Sequence, residues 1–185
     1  MLDLVLARHG ESYGNVDYAL GPDTDLTETG RRQATALGEW LAREGYRFEL
    51  CYCSTLHRAR QTAEIINSYF DVEIIQEPDL REARPWLPGV LPHRSAPLEG
   101  SVAPLHPDYA PFREQVVRAL ERILGENTAG QVLVVAHAGT LGTMVREICG
   151  SHSLLIYTDL AGIHRFSWDG GIWTLHYLNR REHLV

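Results

Sequence analysis

Two short apolar runs constrain this chain most. LDLVLA (2–7) and QVLVVA (131–136) are nearly unbroken rather than alternating in hydrophobicity. Such runs mark strands buried on both faces, and these need covering layers on each side. Stretches of helical period lie between them. A helix is expected from about Glu28 to Glu44, with Thr27 as its N-cap, Ala34, Leu37 and Leu41 along one side, and Gly45 as its stop. FELCYC (48–53) reads as a second strand and VEIIQ (72–76) as a third. Between these two, LHRARQTAEIINSYF (56–70) sets Leu56, Ala59, Ala63, Ile66 and Phe70 on one helical face. FREQVVRALERIL (112–124) and GTLGTMVREIC (139–149) flank the QVLVVA strand as helices, and the segments around Asp169-Gly170-Gly171 form a hairpin pattern. The alternation predicts an α/β fold: a three-layer sandwich with a mostly parallel central sheet, helices on both faces and a C-terminal β-hairpin.

One segment breaks the rhythm. Seven of the nine prolines lie between Pro85 and Pro111, together with Trp86, His93, Arg94, His106 and Tyr109. Strand and helix resume after it, so the expectation is one domain over 1–185 carrying a proline-rich cap or specificity loop at about 84–111. Its aromatic and basic residues fit the mouth of a pocket, and the aromatics equally fit a small satellite core.

Composition narrows the function classes. The chain has 17 Lys and Arg against 24 Asp and Glu, a net charge of -7, with no basic stripe. Nucleic acid is therefore not an expected partner. No apolar run is long enough to cross a bilayer and no secretory signal pattern is evident, so no membrane association is expected. Three cysteines without framework spacing suggest reduced thiols and a cytoplasmic setting. The sequence contains no P-loop, G-x-G-x-x-G, H-E-x-x-H or G-x-S-x-G motif and no recognisable zinc or magnesium site, so no cofactor or metal is expected. Oligomeric state is not readable.

The polar residues carry more information by their position than by their type. Arg8-His9-Gly10 follows the first strand, His57-Arg58 opens the helix after the second, Glu82 comes shortly after the third, and His137 directly follows the fourth. Taken singly, Arg58 reads as a solvated helix residue and Glu82 as a surface carboxylate. In an open parallel sheet, however, ligands bind outside the carboxyl ends of the strands, and four strand ends here deliver two histidines, two arginines and a carboxylate to one edge. That set suits phosphoryl transfer. Guanidinium forks neutralise peripheral phosphoryl oxygens, a neutral imidazole is a competent nucleophile, and a carboxylic acid can protonate a leaving oxygen.

These residues also carry a resemblance. Arg8-His9-Gly10-Glu11 through Asn15 matches R-H-G-E-x-x-x-N, and Leu26-Thr27-x-x-Gly30-x-x-Gln33-Ala34 matches L-T-x-x-G-x-x-Q-A. Ser54-x-Leu56-x-Arg58-Ala59 with Thr62-Ala63, Val135-Ala136-His137-Ala138-Gly139, Leu178-Asn179 and His183-Leu184 follow in order. The chain thereby resembles the histidine phosphatase superfamily, which includes the cofactor-dependent phosphoglycerate mutases. Its smaller branch fits better than the phytase-like one, which carries R-H-G-x-R-x-P and a His-Asp pair where this chain runs on through Glu11 and has Ala138 after His137. The resemblance implies His9 as the nucleophile that becomes phosphohistidine, Arg8, Arg58, His137 and Asn15 as phosphate-binding groups, and Glu82 as the proton donor. It also implies a small-molecule phosphate ester as substrate. Where related phosphatases have Gly and then Trp-Glu-Gly after the proton donor, this chain has Arg84-Pro85-Trp86-Leu87-Pro88-Gly89, so a rebuilt specificity loop is expected. The mutases usually carry longer insertions, which favours hydrolysis over the alternatives of a mutase or a non-catalytic phosphate-binding protein.

Overall fold

A computed structural model describes residues 1–82, 87–96 and 102–184. Six strands form one sheet: β1 (Leu2–Arg8), β2 (Phe48–Ser54), β3 (Glu73–Glu77), β4 (Gly130–Ala136), β5 (Ile163–Trp168) and β6 (Trp173–Arg180). Their order across the sheet is β3-β2-β4-β1-β5-β6. β1 and β2 both pair parallel with β4, and β2 pairs parallel with β3. β5 runs antiparallel to β1 and to β6, so the tail is the expected hairpin.

The helices are α1 (Tyr13–Val16), α2 (Glu28–Arg43), α3 (His57–Asn67), α4 (Leu87–Val90), α5 (Ala110–Glu126) and α6 (Ala138–Cys149). Period-two side-chain alternation along the strands divides the core in two. On one face Leu2, Leu4, Leu6, Val132 and Val134 pack against Phe112, Val116 and Ile123 of α5 and Leu141, Met144 and Val145 of α6. On the other, Val5, Ala7, Cys51, Cys53, Leu133 and Val135 meet Leu37 and Leu41 of α2 and Ala59, Ala63 and Ile66 of α3. Removing each large apolar side chain from water contributes roughly 1.5–3 kcal/mol, which explains why the two unbroken runs occupy the middle of the sheet. Cys51 and Cys53 share one buried face and all three cysteines are free thiols.

Local signals explain the boundaries. Thr27 Oγ1 accepts the Gly30 N–H at 3.0 Å and caps α2. That helix ends as expected at Gly45, whose φ of 82° lies in the left-handed region. No described helix is long and apolar enough to cross a membrane.

Within the proline-rich segment, Trp86 lies outside the described residues. His93, Arg94 and His106 are exposed, and an isolated bridge joins Arg94 to Val102. Tyr109 is fully buried in the core beside α5, its hydroxyl accepting from Arg146 Nε at 3.1 Å, so it packs as core and does not line a pocket mouth.

Candidate active site

The four parallel strands end at one edge of the sheet, and the chain leaving each end carries a polar side chain. At the end of β1, the His9 N–H donates to the Ala136 carbonyl of β4 at 3.0 Å, and the His9 carbonyl accepts from Ala161 N–H at 3.2 Å. The His9 side chain is only 2% exposed. Its Nδ1 lies 2.7 Å from the Gly10 carbonyl, which can only accept, so Nδ1 carries the proton. Nε2 accepts from Arg58 Nε at 2.9 Å, which can only donate, so Nε2 holds the lone pair. Burial, reinforced by Arg58 and Arg8, pushes the imidazole's pKa well below its usual value. The result is a neutral ring with its free electron pair directed at a guanidinium.

The turn holding His9 is locked by the glycine-containing motif at the start of α2. The Glu11 N–H donates to Gln33 Oε1 at 2.8 Å, Thr27 N–H donates to the Glu11 carbonyl at 2.9 Å, and Thr27 Oγ1 donates to Glu11 Oε1 at 2.7 Å. Gly30 packs so tightly that a Cβ there would lie 1.9 Å from the Glu11 carbonyl oxygen. Glu11 therefore serves the turn. Gly10 N–H donates to Thr62 Oγ1 at 3.1 Å, and that hydroxyl donates in turn to the Arg58 carbonyl at 2.7 Å, tying the turn to α3.

Arg58 emerges from the first turn of α3, 7% exposed, and its Nη1 donates to the Pro22 carbonyl. Arg8, the last residue of β1, donates from Nη1 to the Thr158 carbonyl at 2.7 Å, while its buried Nε has no hydrogen-bond partner among the described residues. Burial lowers both guanidinium pKa values and Glu82 opposes that shift in each, so the carboxylate and the two cations share one electrostatic neighbourhood.

Glu82 is half-buried, and its Oε2 accepts the Gly139 N–H in the first turn of α6 at 3.0 Å. The segment before it is clamped from both sides. Thr140 Oγ1 reaches the Leu80 and Arg81 carbonyls, and Gln115 of α5 bonds the Asp79 and Arg81 carbonyls. His137 immediately precedes α6 and is fully buried, its ring centroid 5.1 Å from that of His9. Its Nε2 lies 2.8 Å from Ser54 Oγ at the end of β2, and its buried Nδ1 has no partner among the described residues. The same Ser54 oxygen accepts the Leu56 N–H at 3.3 Å, and its hydroxyl keeps both a proton to give and a second lone pair to offer His137 Nε2. Burial first, and then His9 and the neighbouring arginines, lowers the His137 pKa well below the usual value.

The structure thus gathers Arg8, His9, Arg58, Glu82 and His137 at one edge. Asn15 is placed differently: its Oδ1 accepts from the Ser12 N–H and hydroxyl, both at 2.9 Å, closing the turn before α1 and leaving its amide Nδ2 as the donor end. Two supporting residues carried no role in the sequence reading. Ser54 stood in a recognised motif, whereas Thr158 had no local signal at all. Such a set can hold a tetrahedral anion between two guanidiniums and an imidazole N–H, with a nucleophilic nitrogen on one side and a carboxyl group at the rim.

Comparison with known proteins identifies relatives of the whole chain. The sequence profile of the histidine phosphatase superfamily (branch 1) matches residues 4–85 and 91–181. The uncharacterized phosphatase PhoE of Bacillus subtilis (strain 168) is 29% identical over all of this chain and 97% of its own length. A 2,3-bisphosphoglycerate-dependent phosphoglycerate mutase of Methylobacterium sp. (strain 4-46) is 43% identical, but over only 42% of this chain and 36% of the mutase. The solved structure of Bacillus stearothermophilus YhfR superposes with a TM-score of 0.81 at 26% identity, covering both chains completely. With the profile spanning nearly every residue from the first strand to the last, the chain belongs to branch 1 of the histidine phosphatase superfamily.

Proposed function

We propose that the protein is a phosphomonoesterase that hydrolyses a small phosphate ester through a phosphohistidine on His9, without a metal. The observation that carries this reading is the His9 ring itself: neutral, anchored through Nδ1–H, with Nε2 as its only nucleophilic atom. The entering phosphoryl group takes over the Arg58 Nε hydrogen bond, freeing the Nε2 lone pair for in-line attack. Arg8, Arg58, the Nδ1–H of His137 and the amide of Asn15 bind the peripheral oxygens.

In the first half-reaction the Nε2–P bond forms as the ester P–O bond breaks, and Glu82 gives its proton to the departing oxygen. A phosphoryl dianion beside the carboxylate favours that protonated form in the complex. In the second, water attacks phosphorus, Glu82 takes its proton, and the P–N bond breaks to release phosphate. The two guanidiniums supply the positive charge that a metal supplies in other phosphatases. Full-length similarity to a phosphatase, against partial similarity to a mutase, supports hydrolysis over transfer. The free thiols support a reducing, cytoplasmic setting.

The test is p-nitrophenyl phosphate hydrolysis with and without EDTA, alongside trapping of the phosphoenzyme. Turnover should survive the chelator, and an acid-labile, base-stable phosphoenzyme should form. His9→Ala should lose both, with turnover falling at least about a thousandfold. Complete inhibition by EDTA overturns the metal-free route, and near-native turnover in His9→Ala overturns the nucleophile.

A further inference from the structure

Arg8 is held by a part of the chain that none of the catalytic motifs includes. Among the described residues, its guanidinium makes one hydrogen bond, to the main-chain carbonyl of Thr158. That carbonyl opens a short loop, 158–162, leading into β5. The loop is unusually constrained: Ala161 sits at φ 55°, in the left-handed region that an alanine rarely adopts, and it needs outside support to stay there. Ala161 N–H is bonded to the His9 carbonyl, the Ala161 carbonyl to His183 Nε2 at 2.9 Å, and Arg8 N–H to the Gly162 carbonyl at 3.0 Å.

The Thr158 end of the loop is fixed by His164, a fully buried histidine that the catalytic cycle does not use. His164 Nδ1 accepts the main-chain N–H of Asn179 at 3.1 Å. An amide N–H can only donate, so the ring proton sits on Nε2, which donates to Thr158 Oγ1 at 2.7 Å. Asn179 closes the arrangement: its Oδ1 accepts from Asp159 N–H and its Nδ2 donates to Asp159 Oδ2, both at 2.8 Å. A chain of defined donors and acceptors therefore runs from the β6 backbone through His164 and the Thr158 side chain to the carbonyl gripping Arg8.

We propose that His164, acting through Thr158, is a positioning residue for Arg8, setting the angle at which its guanidinium meets the phosphoryl group. This rests on the reading of Arg8 as a phosphoryl-binding group. With a single carbonyl as anchor, a small displacement of Thr158 swings the remaining N–H groups out of register with the oxygens they bind, although the cation stays in place.

Competitive inhibition by orthovanadate, a mimic of the pentacoordinate phosphoryl group, reads the effect. Thr158→Val keeps the shape and the main-chain carbonyl but removes the acceptor for His164. It should raise the vanadate Ki about tenfold, the size expected for one lost hydrogen bond to a charged site. His164→Leu should do the same, while His164→Gln, whose amide N–H stands where Nε2–H stands, should restore binding to within about threefold. The decisive arm is a double-mutant cycle: in an Arg8→Ala background Thr158→Val should change the Ki less than about twofold, whereas general loosening of the fold would add its full effect. If Thr158→Val alone leaves the Ki unchanged, or costs as much with Arg8 absent, the positioning role is overturned. If Arg8→Ala itself leaves the Ki unchanged, the assignment of Arg8 to the phosphoryl group fails first and this inference falls with it.

Discussion

The two sides of the proposed phosphoryl cradle are built on different principles. On the Arg58 side, groups from the first third of the chain lock one another: the His9 turn, the start of α2 and the first turns of α3 meet through glycine-to-backbone contact and side-chain caps. On the Arg8 side, the guanidinium is held by a carbonyl 150 residues away, supported by pairs from β5, β6 and the C-terminal turn. One side is rigid because its backbones touch, and the other because a hydrogen-bonded chain is complete. The difference teaches where the site tolerates change: the first has no room for an added atom, and the second no room for a missing partner.

The largest effect that separates the two sides concerns the arginines. Arg58→Ala removes a proposed phosphoryl ligand and also the donor that holds His9 Nε2 and the anchor to Pro22. Arg8→Ala removes a proposed ligand and its bond to the Thr158 carbonyl, but no contact to the His9 ring. Both should lower kcat/KM with p-nitrophenyl phosphate, Arg8→Ala by about a hundredfold and Arg58→Ala by about a thousandfold or more. An Arg8 loss equal to or above that of Arg58 breaks the asymmetry. Lysine should rescue neither, since it offers one ammonium where a planar fork is needed.

The next effect is on stability. At Gly30 a Cβ would collide with the main chain of Glu11, at 1.9 Å from its oxygen and 2.8 Å from its nitrogen, so Gly30→Ala must displace the His9 turn itself. A cost of about 2–4 kcal/mol is expected, lowering Tm by about 5–15 °C, with turnover reduced in whatever protein folds. Gly125→Ala is the control. It lies in α5 with open space around it, and the gain in helix propensity should make it neutral or stabilising by up to about 1 kcal/mol. Similar melting curves for the two variants would show that the close approach at Gly30 carries no special weight.

This division also explains what could be read in advance. The central strands were legible because β1 and β4 are apolar on both faces, and the site because strand ends are the places where a parallel sheet presents polar groups. Thr27 was legible as a cap because the signal is local. Element ends moved by a residue or two: α5 begins at Ala110 rather than Phe112, since Pro111 fits a first helical turn. The roles of Ser54 and Thr158 were not legible. Each depends on which distant side chain the fold brings to it, and neither has a periodicity or a cap pattern to announce it. Which of its two alternatives Tyr109 follows was not legible for a related reason, because proline content marks a loop but says nothing of which of its aromatics turn inward.

A last comparison sets one histidine from each side against the other. Burial pushes the His164 pKa down to about 4, and those of His9 and His137 fall well below 6.5. In the unfolded chain each titrates near 6.5, so between that value and the folded one the unfolded state binds more protons, and stability falls as the pH falls. The His164 contribution is on the order of 3 kcal/mol, lost progressively from pH 6.5 toward 4. Tm should drop across that window, and His164→Gln should flatten the part of the slope that His164 contributes. Activity behaves otherwise. His9 is already neutral at pH 6.5, so kcat/KM, after correction for the substrate's own ionisation near 6, should show no limb there. A limb at 6.5 that survives the correction would mean that His9 must lose a proton before it can attack, and the Arg58 contact would then not be fixing the lone pair on Nε2.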